Sequence, residues 1–171
     1  VDGSSDIVNT LRRGIELGMT HLDTAELYTG AEEIIRPVVT AHRDDIFLVS
    51  KVLPDHAAYA DTIAACERSL QTLGVDHLDA YLLHWNGGLV PLAETMGAML
   101  DLIAAGKIRF AGVSNFDVPE LEEAQAALGD TPLCCNQVIY HPGDRAIEDD
   151  VLPWCEAHGV AVVGYSPFAS A

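Results

Sequence analysis

Leu78-Asp79-Ala80-Tyr81-Leu82-Leu83 follows a helix-ending glycine, Gly74, and is closed by His84. Its apolar residues do not alternate with polar ones, as they would in a strand with one wet face. A strand of this kind needs cover on both faces, which is the situation inside a parallel sheet. The same unit recurs outward in both directions. Glycines at 18, 106, 129 and 159 each follow a stretch of helical apolar spacing and are followed closely by another short apolar run. The first helix is expected from Ser5 to Leu17, with Ile7, Val8, Leu11 and Ile15 on one face. Thr20 to Asp23, Ile46–Ser50, Ile108–Val113, Leu133–Gln137 and Val160–Gly164 read as the other strands. Pro91 and Pro119 fall near helix starts, where proline is tolerated.

Strands alternating with helices define an α/β protein. Two parallel architectures compete, the closed (β/α)8 TIM barrel and the open doubly wound sheet. No Gly-x-Gly-x-x-Gly phosphate loop follows the first predicted strand, so the barrel is favoured. Six strands are expected where a closed barrel has eight in about 250 residues, so residues 1–171 read as a single, incomplete barrel domain lacking its outer βα units. The recurring spacing is the βα repeat itself; no linker or low-complexity tract interrupts it.

The 171 residues carry 9 Lys and Arg against 26 Asp and Glu, a formal charge of −17. That field repels nucleic acid and anionic membrane surfaces as partners, but it leaves room for a nucleotide held by local N–H groups and a few placed cations. Cys66, Cys134, Cys135 and Cys155 show no metal-ligand spacing and read as core or helix residues, with no metal expected. No apolar run reaches transmembrane length and no signal peptide opens the sequence, so a cytoplasmic protein is expected.

In barrels the active site forms at the C-terminal strand ends. Here those positions hold Asp23 with Tyr28 just beyond, Lys51, His84, Ser114 with Asn115, Gln137, and Tyr165 with Ser166. A tyrosine with a pKa near 10 needs help to exchange protons at neutral pH, and Lys51 can supply a cation that stabilises its phenolate. A buried lysine in turn needs a carboxylate, and Asp23 is available. His84 offers a donor to a carbonyl oxygen. The set suits protonation of a developing alkoxide while hydride arrives from a cofactor, since no side chain carries hydride. Singly, each has a structural reading: Asp23 as a helix cap, Tyr28 as a loop aromatic, His84 as a satisfied buried imidazole, Lys51 as a solvated strand end and Tyr165 as core.

The segment His21-Leu-Asp-Thr-Ala-Glu-Leu-Tyr28 resembles the aldo-keto reductase signature. Val49-Ser-Lys51-Val, Tyr81-Leu-Leu-His84-Trp85, Gly112-Val-Ser114-Asn115-Phe116, Asn136-Gln137 through Pro142, and Gly164-Tyr165-Ser166-Pro167 resemble its later motifs in order. The resemblance implies Tyr28 as general acid, Lys51 and Asp23 as partners setting its pKa, and His84 as the group orienting the carbonyl. It implies Ser114, Asn115 and Gln137 on a nicotinamide carboxamide, Tyr165 stacked on the ring, Ser166 opening a loop along the pyrophosphate, and Trp85 in the substrate pocket. NADP(H) is the implied cofactor, with NAD(H) left open because the region that binds the 2′-phosphate in the family has no counterpart here. The stretches Leu83–Gly88 and Ile147–Cys155 are similar to bacterial members that reduce methylglyoxal and other small aldehydes, and the family implies a monomer. Rival readings are a non-catalytic nucleotide-binding subunit or inactive fragment with the same fold, and a metal-dependent barrel hydrolase. The intact quartet disfavours the non-catalytic subunit, and too few strand-end histidines disfavour the hydrolase.

Overall fold

In the computed structural model, which describes residues 4–169, the glycine punctuation becomes six α-helices and six strands in strict alternation. They are α1 (Ser4–Glu16), β1 (His21–Asp23), α2 (Ala31–Ala41), β2 (Phe47–Val52), α3 (Tyr59–Leu73), β3 (Leu78–Leu83), α4 (Leu92–Ala104), β4 (Ile108–Ser114), α5 (Val118–Leu128), β5 (Cys135–Ile139), α6 (Val151–His158) and β6 (Ala161–Tyr165). The strands form one sheet in sequence order, every neighbouring pair parallel. This curled half-barrel has the TIM-barrel architecture, six βα units of the eight. Gly74 and Gly159 end α3 and α6 in the left-handed region (φ 73° and 71°), where a Cβ would be strained.

Strand ends depart from the sequence expectation in one instructive direction. β2, β4, β5 and β6 each run one or two residues further than their apolar runs, so that Lys51, Ser114, Gln137 and Tyr165 lie inside strands. The ladder, not the loss of hydrophobicity, sets where a strand stops. Leu133 and Cys134 were expected to open β5; instead Leu133 N–H donates to the Gln125 side chain, and the strand begins at Cys135.

The sheet separates two apolar layers. Toward the helices, Leu48, Val52, Leu78, Tyr81, Leu83, Ile108 and Val113 pack on α2 to α5 in the main core. Toward the interior, Val49, Ala80, Leu82 and Cys135 form a smaller layer, flanked by Phe47, Cys134 and Val163. Because side chains alternate with period two, the next inward residue after each of these falls near the C-terminal rim. Lys51 follows Val49, His84 follows Leu82, Gln137 follows Cys135, Tyr165 follows Val163, and Ser114 follows Gly112. The fold thus delivers every strand-borne polar candidate to one interior rim above a dry floor. No helix among the described residues is long and apolar enough to cross a membrane.

Candidate active site

Lys51 is the pivot of the rim. It is fully buried, and its ammonium forms an ion pair with Asp23 Oδ1 and donates to the Thr24 carbonyl at 2.9 Å. The second Asp23 oxygen accepts from Gln137 Nε2 at 2.9 Å, so Asp23 bridges β2 and β5 rather than capping a helix. An unpaired ammonium above an apolar layer would be prohibitive, and these acceptors are what allow it to stay charged.

Tyr28 stands beside this pair in the loop after β1. The loop turns through a Tyr28 N–H to Ala25 carbonyl bond of 3.0 Å, and Gly30 (φ 77°) leads into α2. Lys51 Nζ lies 5.4 Å from the centre of the Tyr28 ring. The expectation that this cation lowers the phenol's pKa is not met. Burial, then the charge of Asp23 and the neighbouring Tyr165, hold the Tyr28 phenol above its ordinary value of 10.0. Loss of water around the phenol is the largest cause, and the Asp23 carboxylate adds to it. The phenol is therefore fully protonated at neutral pH, the state an acid requires.

His84 meets Tyr28 edge to face, with ring centres 5.8 Å apart, and the Trp85 ring centre lies 5.0 Å from its own. Burial, reinforced by the Lys51 charge, lowers the His84 pKa below 6.5. The ring is thus neutral at pH 7. Its buried Nδ1 has no hydrogen-bond partner. A buried N–H without an acceptor is costlier than a bare acceptor nitrogen, which places the proton on Nε2.

The opposite wall comes from β4 to β6 and is neutral. Ser114 Oγ donates to the Gln137 carbonyl at 2.7 Å; Asn115 Nδ2 donates to the His84 carbonyl and to Ser114 Oγ, both at 3.1 Å; Tyr165 OH donates to Asn115 Oδ1 at 2.8 Å. Asn115 and Ser166 have φ of 62° and 53°, left-handed values that a non-glycine residue adopts at a cost. A residue that the sequence reading left without a role accounts for the first. Fully buried Asn136 grips Phe116 at both ends, donating to its carbonyl at 2.9 Å and accepting its N–H at 3.3 Å, which fixes the turn. Asp117 and Glu120 then cap α5 reciprocally. A buried amide directly before Gln137 had no periodic signal to mark it; only its polarity within an apolar run did.

Tyr28, His84, Trp85, Ser114, Asn115, Gln137, Tyr165 and Ser166 together line a cavity of about 390 Å³. Asp23 and Lys51 lie behind Tyr28. Every residue singled out from the sequence is thus gathered around one space. A larger groove of about 660 Å³ between α1 and α2 touches Arg12 and Glu33 but no strand end. No cluster able to hold a metal ion occurs among the described residues.

Residues 4–171 match the Aldo/keto reductase family. Over 166 residues the chain is 49% identical to methylglyoxal reductase YeaE of Escherichia coli, covering 96% of this chain and 58% of that protein. It is 34% identical to a glyoxal reductase of Bacillus subtilis, covering 98% of this chain and 60% of the relative. A crystal structure of an aldo-keto reductase from Klebsiella pneumoniae in complex with NADPH superimposes with a TM-score of 0.92 at 47% identity, over 97% of this chain and 59% of that one. The chain therefore spans about three-fifths of the length of the relatives it matches.

Proposed function

The chain belongs to the aldo/keto reductase family, and from that premise we propose that its protein reduces small aldehydes and ketones to alcohols with a nicotinamide cofactor, NADPH in preference to NADH. The observation that carries the reading is the fully buried Lys51 paired with Asp23, beside a protonated Tyr28 that meets neutral His84 edge to face at the wall of a cavity. A purely structural lysine would not be sunk beside a tyrosine at a barrel's C-terminal rim. The relatives named as methylglyoxal and glyoxal reductases support a small dicarbonyl or aldehyde as substrate.

The neutral wall fits a nicotinamide. Gln137 and Asn115 offer amide edges, Ser114 a hydroxyl, and Tyr165 a partly exposed ring face, with no formal charge among them. Ser166, on its left-handed backbone, begins the path toward the phosphates. When bound, the reduced cofactor supplies hydride.

The chain's own residues do the rest. His84 Nε2–H donates to the carbonyl oxygen and orients it; Tyr28 O–H, protonated and adjacent, transfers its proton to that oxygen as negative charge develops there. The phenolate left behind forms within reach of the Lys51 ammonium, whose position Asp23 and Thr24 fix. Trp85 closes the outer side of the pocket, its ring partly exposed.

The test is carbonyl-dependent oxidation of NADPH by the full-length protein with methylglyoxal, alongside fluorescence titrations with NADPH and NADH. Turnover and tighter binding of NADPH are expected. Cofactor binding without turnover on any small carbonyl would instead support the non-catalytic nucleotide-binding reading.

A further inference from the structure

We propose that the short turn Pro54–His56, immediately after β2, is a keystone that positions both halves of the proton-transfer apparatus, and that Glu26 and Gly87 are the residues through which it acts. This deepens the reading of the site given above and rests on it.

Glu26 lies two residues before Tyr28, in the same loop. Its side chain is only 14% exposed and is spent entirely on the region after Lys51. Oε1 accepts the Leu53 N–H at 2.5 Å, both oxygens lie 3.1 Å from His56 Nδ1, and Arg68 on α3 comes within 3.6 Å. The Glu26 N–H donates to the Lys51 carbonyl at 3.3 Å. A carboxylate accepting a backbone N–H beside two cationic or hydrogen-bonding side chains is a strong local tether. It joins the Tyr28 loop to Lys51 and the chain segment that leaves it, so Tyr28 is held near Lys51 by contacts in which the Tyr28 side chain takes no part.

The other side of the same turn carries the His84 loop. Gly87 sits so close to Pro54 that a Cβ added to it would come within 2.6 Å of the proline Cβ. Both groups are rigid, so neither can yield as a long side chain would. The loop bearing His84 and Trp85 therefore rests on Pro54, and Thr62 Oγ1 fixes the turn to α3 through the His56 carbonyl at 3.0 Å. Tyr28 and His84, 25 to 30 residues from each other's supports, are referenced to one three-residue turn. Glu26 and Gly87 touch no reacting atom and are positioning residues.

The experiment uses the full-length protein with four variants: Glu26→Ala, Glu26→Gln, Gly87→Ala and, as a control, Asp101→Ala. Asp101 holds Tyr59 across α3 and α4, away from the cavity. Misplacing an acid by a fraction of an ångström to 1 Å costs on the order of ten- to a hundredfold, so Glu26→Ala should lower kcat by that factor with the cofactor Kd unchanged within about twofold. Glu26→Gln keeps an oxygen for Leu53 N–H and should recover most of the rate. Gly87→Ala should raise KM for the carbonyl through displacement of Trp85 and His84. Asp101→Ala should lower the melting temperature without lowering kcat. Amide exchange reads the tether independently of turnover: Leu53 and Tyr28 should lose protection in Glu26→Ala and keep it in Asp101→Ala. An unchanged kcat in Glu26→Ala, or equal exchange in the two variants, overturns the proposal. If Tyr28→Phe lowers the rate while Glu26→Ala does not, the keystone fails and the reading of the site stands; if the wild type shows no turnover, that reading fails and exchange alone decides the keystone.

Discussion

Two ion clusters, one centred on buried Asp79 and the other on buried Lys51, sit at opposite ends of this sheet, and they are built on opposite principles. Near the strand starts, Asp79 accepts the Leu48 N–H at 2.8 Å and is paired with Arg43 and Arg109, each at 2.9 Å. Arg43 goes on to donate to the carbonyls of Ile46 and His77. Burial works to raise the Asp79 pKa, but the Leu48 N–H and the two guanidiniums outweigh it and leave the carboxyl below 3.8. This network is closed: it ties β2, β3 and β4 together and faces no cavity. At the strand ends, Asp23 and Lys51 are likewise paired, yet they abut Tyr28, which with His84 lines a cavity. The first cluster spends its buried carboxylate on two guanidiniums and a backbone N–H and stabilises; the second stands behind a phenol and an imidazole that line a cavity. That division matches the general contrast between the two faces of a barrel.

The contrast can be broken by exchanging what each cluster is asked to do. Lys51→Met should have the largest effect on rate, a fall of about 10²- to 10⁴-fold in kcat, because it removes the charge facing Tyr28. Its effect on stability should be modest, since Asp23 is partly solvated and retains Gln137. A rate loss explained wholly by unfolding would contradict the division. Asp79→Ala should do the reverse. Leaving Arg43 buried beside no carboxylate should cost on the order of 3–5 kcal/mol in denaturant unfolding, while the rate per folded molecule stays near wild type. A selective loss of rate in Asp79→Ala would place chemistry at the wrong end.

The smallest effect is in pH. His84 has a folded pKa below its unfolded value of 6.5, so the unfolded chain takes up its proton first. The stability it contributes is complete above pH 6.5 and is lost as pH falls through the folded value. Asp79, also depressed, contributes only above 3.8 and loses that contribution in a lower range. Denaturation midpoints measured between about pH 7.5 and 5 should therefore decline less in His84→Asn than in wild type; parallel declines would remove His84 from the account.

Much of this was legible in the residues because two periodicities coincide. The run Leu78–Leu83 appears as a strand with the bounds expected of it, and the period of two turns an inward Leu82 into an inward His84. The family signature then gave each rim residue a role before any distance was known. What the chain's order concealed is pairing across distant segments. Asp79 interrupts an apolar run, but nothing local says that Arg43 and Arg109 will meet it. Glu26 reads as a loop carboxylate until Leu53 and His56 are seen beside it. Asn136 lies in a quoted motif, yet its grip on Phe116 depends on the β4–β5 register. Tyr28 shows the same limit from the other side: its presence was evident, whereas the burial of its phenol and the nearness of Asp23 and Tyr165, which raise rather than lower its pKa, depend on the fold.

The most direct measurement of the central claim is Tyr28→Phe in the full-length protein, assayed for carbonyl-dependent NADPH oxidation and titrated with NADPH by fluorescence. The ring and its packing against His84 survive this change and the hydroxyl, with its proton, is removed. A kcat lowered by about 10²-fold or more, with cofactor affinity kept within about twofold, is the predicted result. An unchanged rate would contradict it, because buried Lys51, paired with Asp23, would then stand behind a tyrosine that donates nothing.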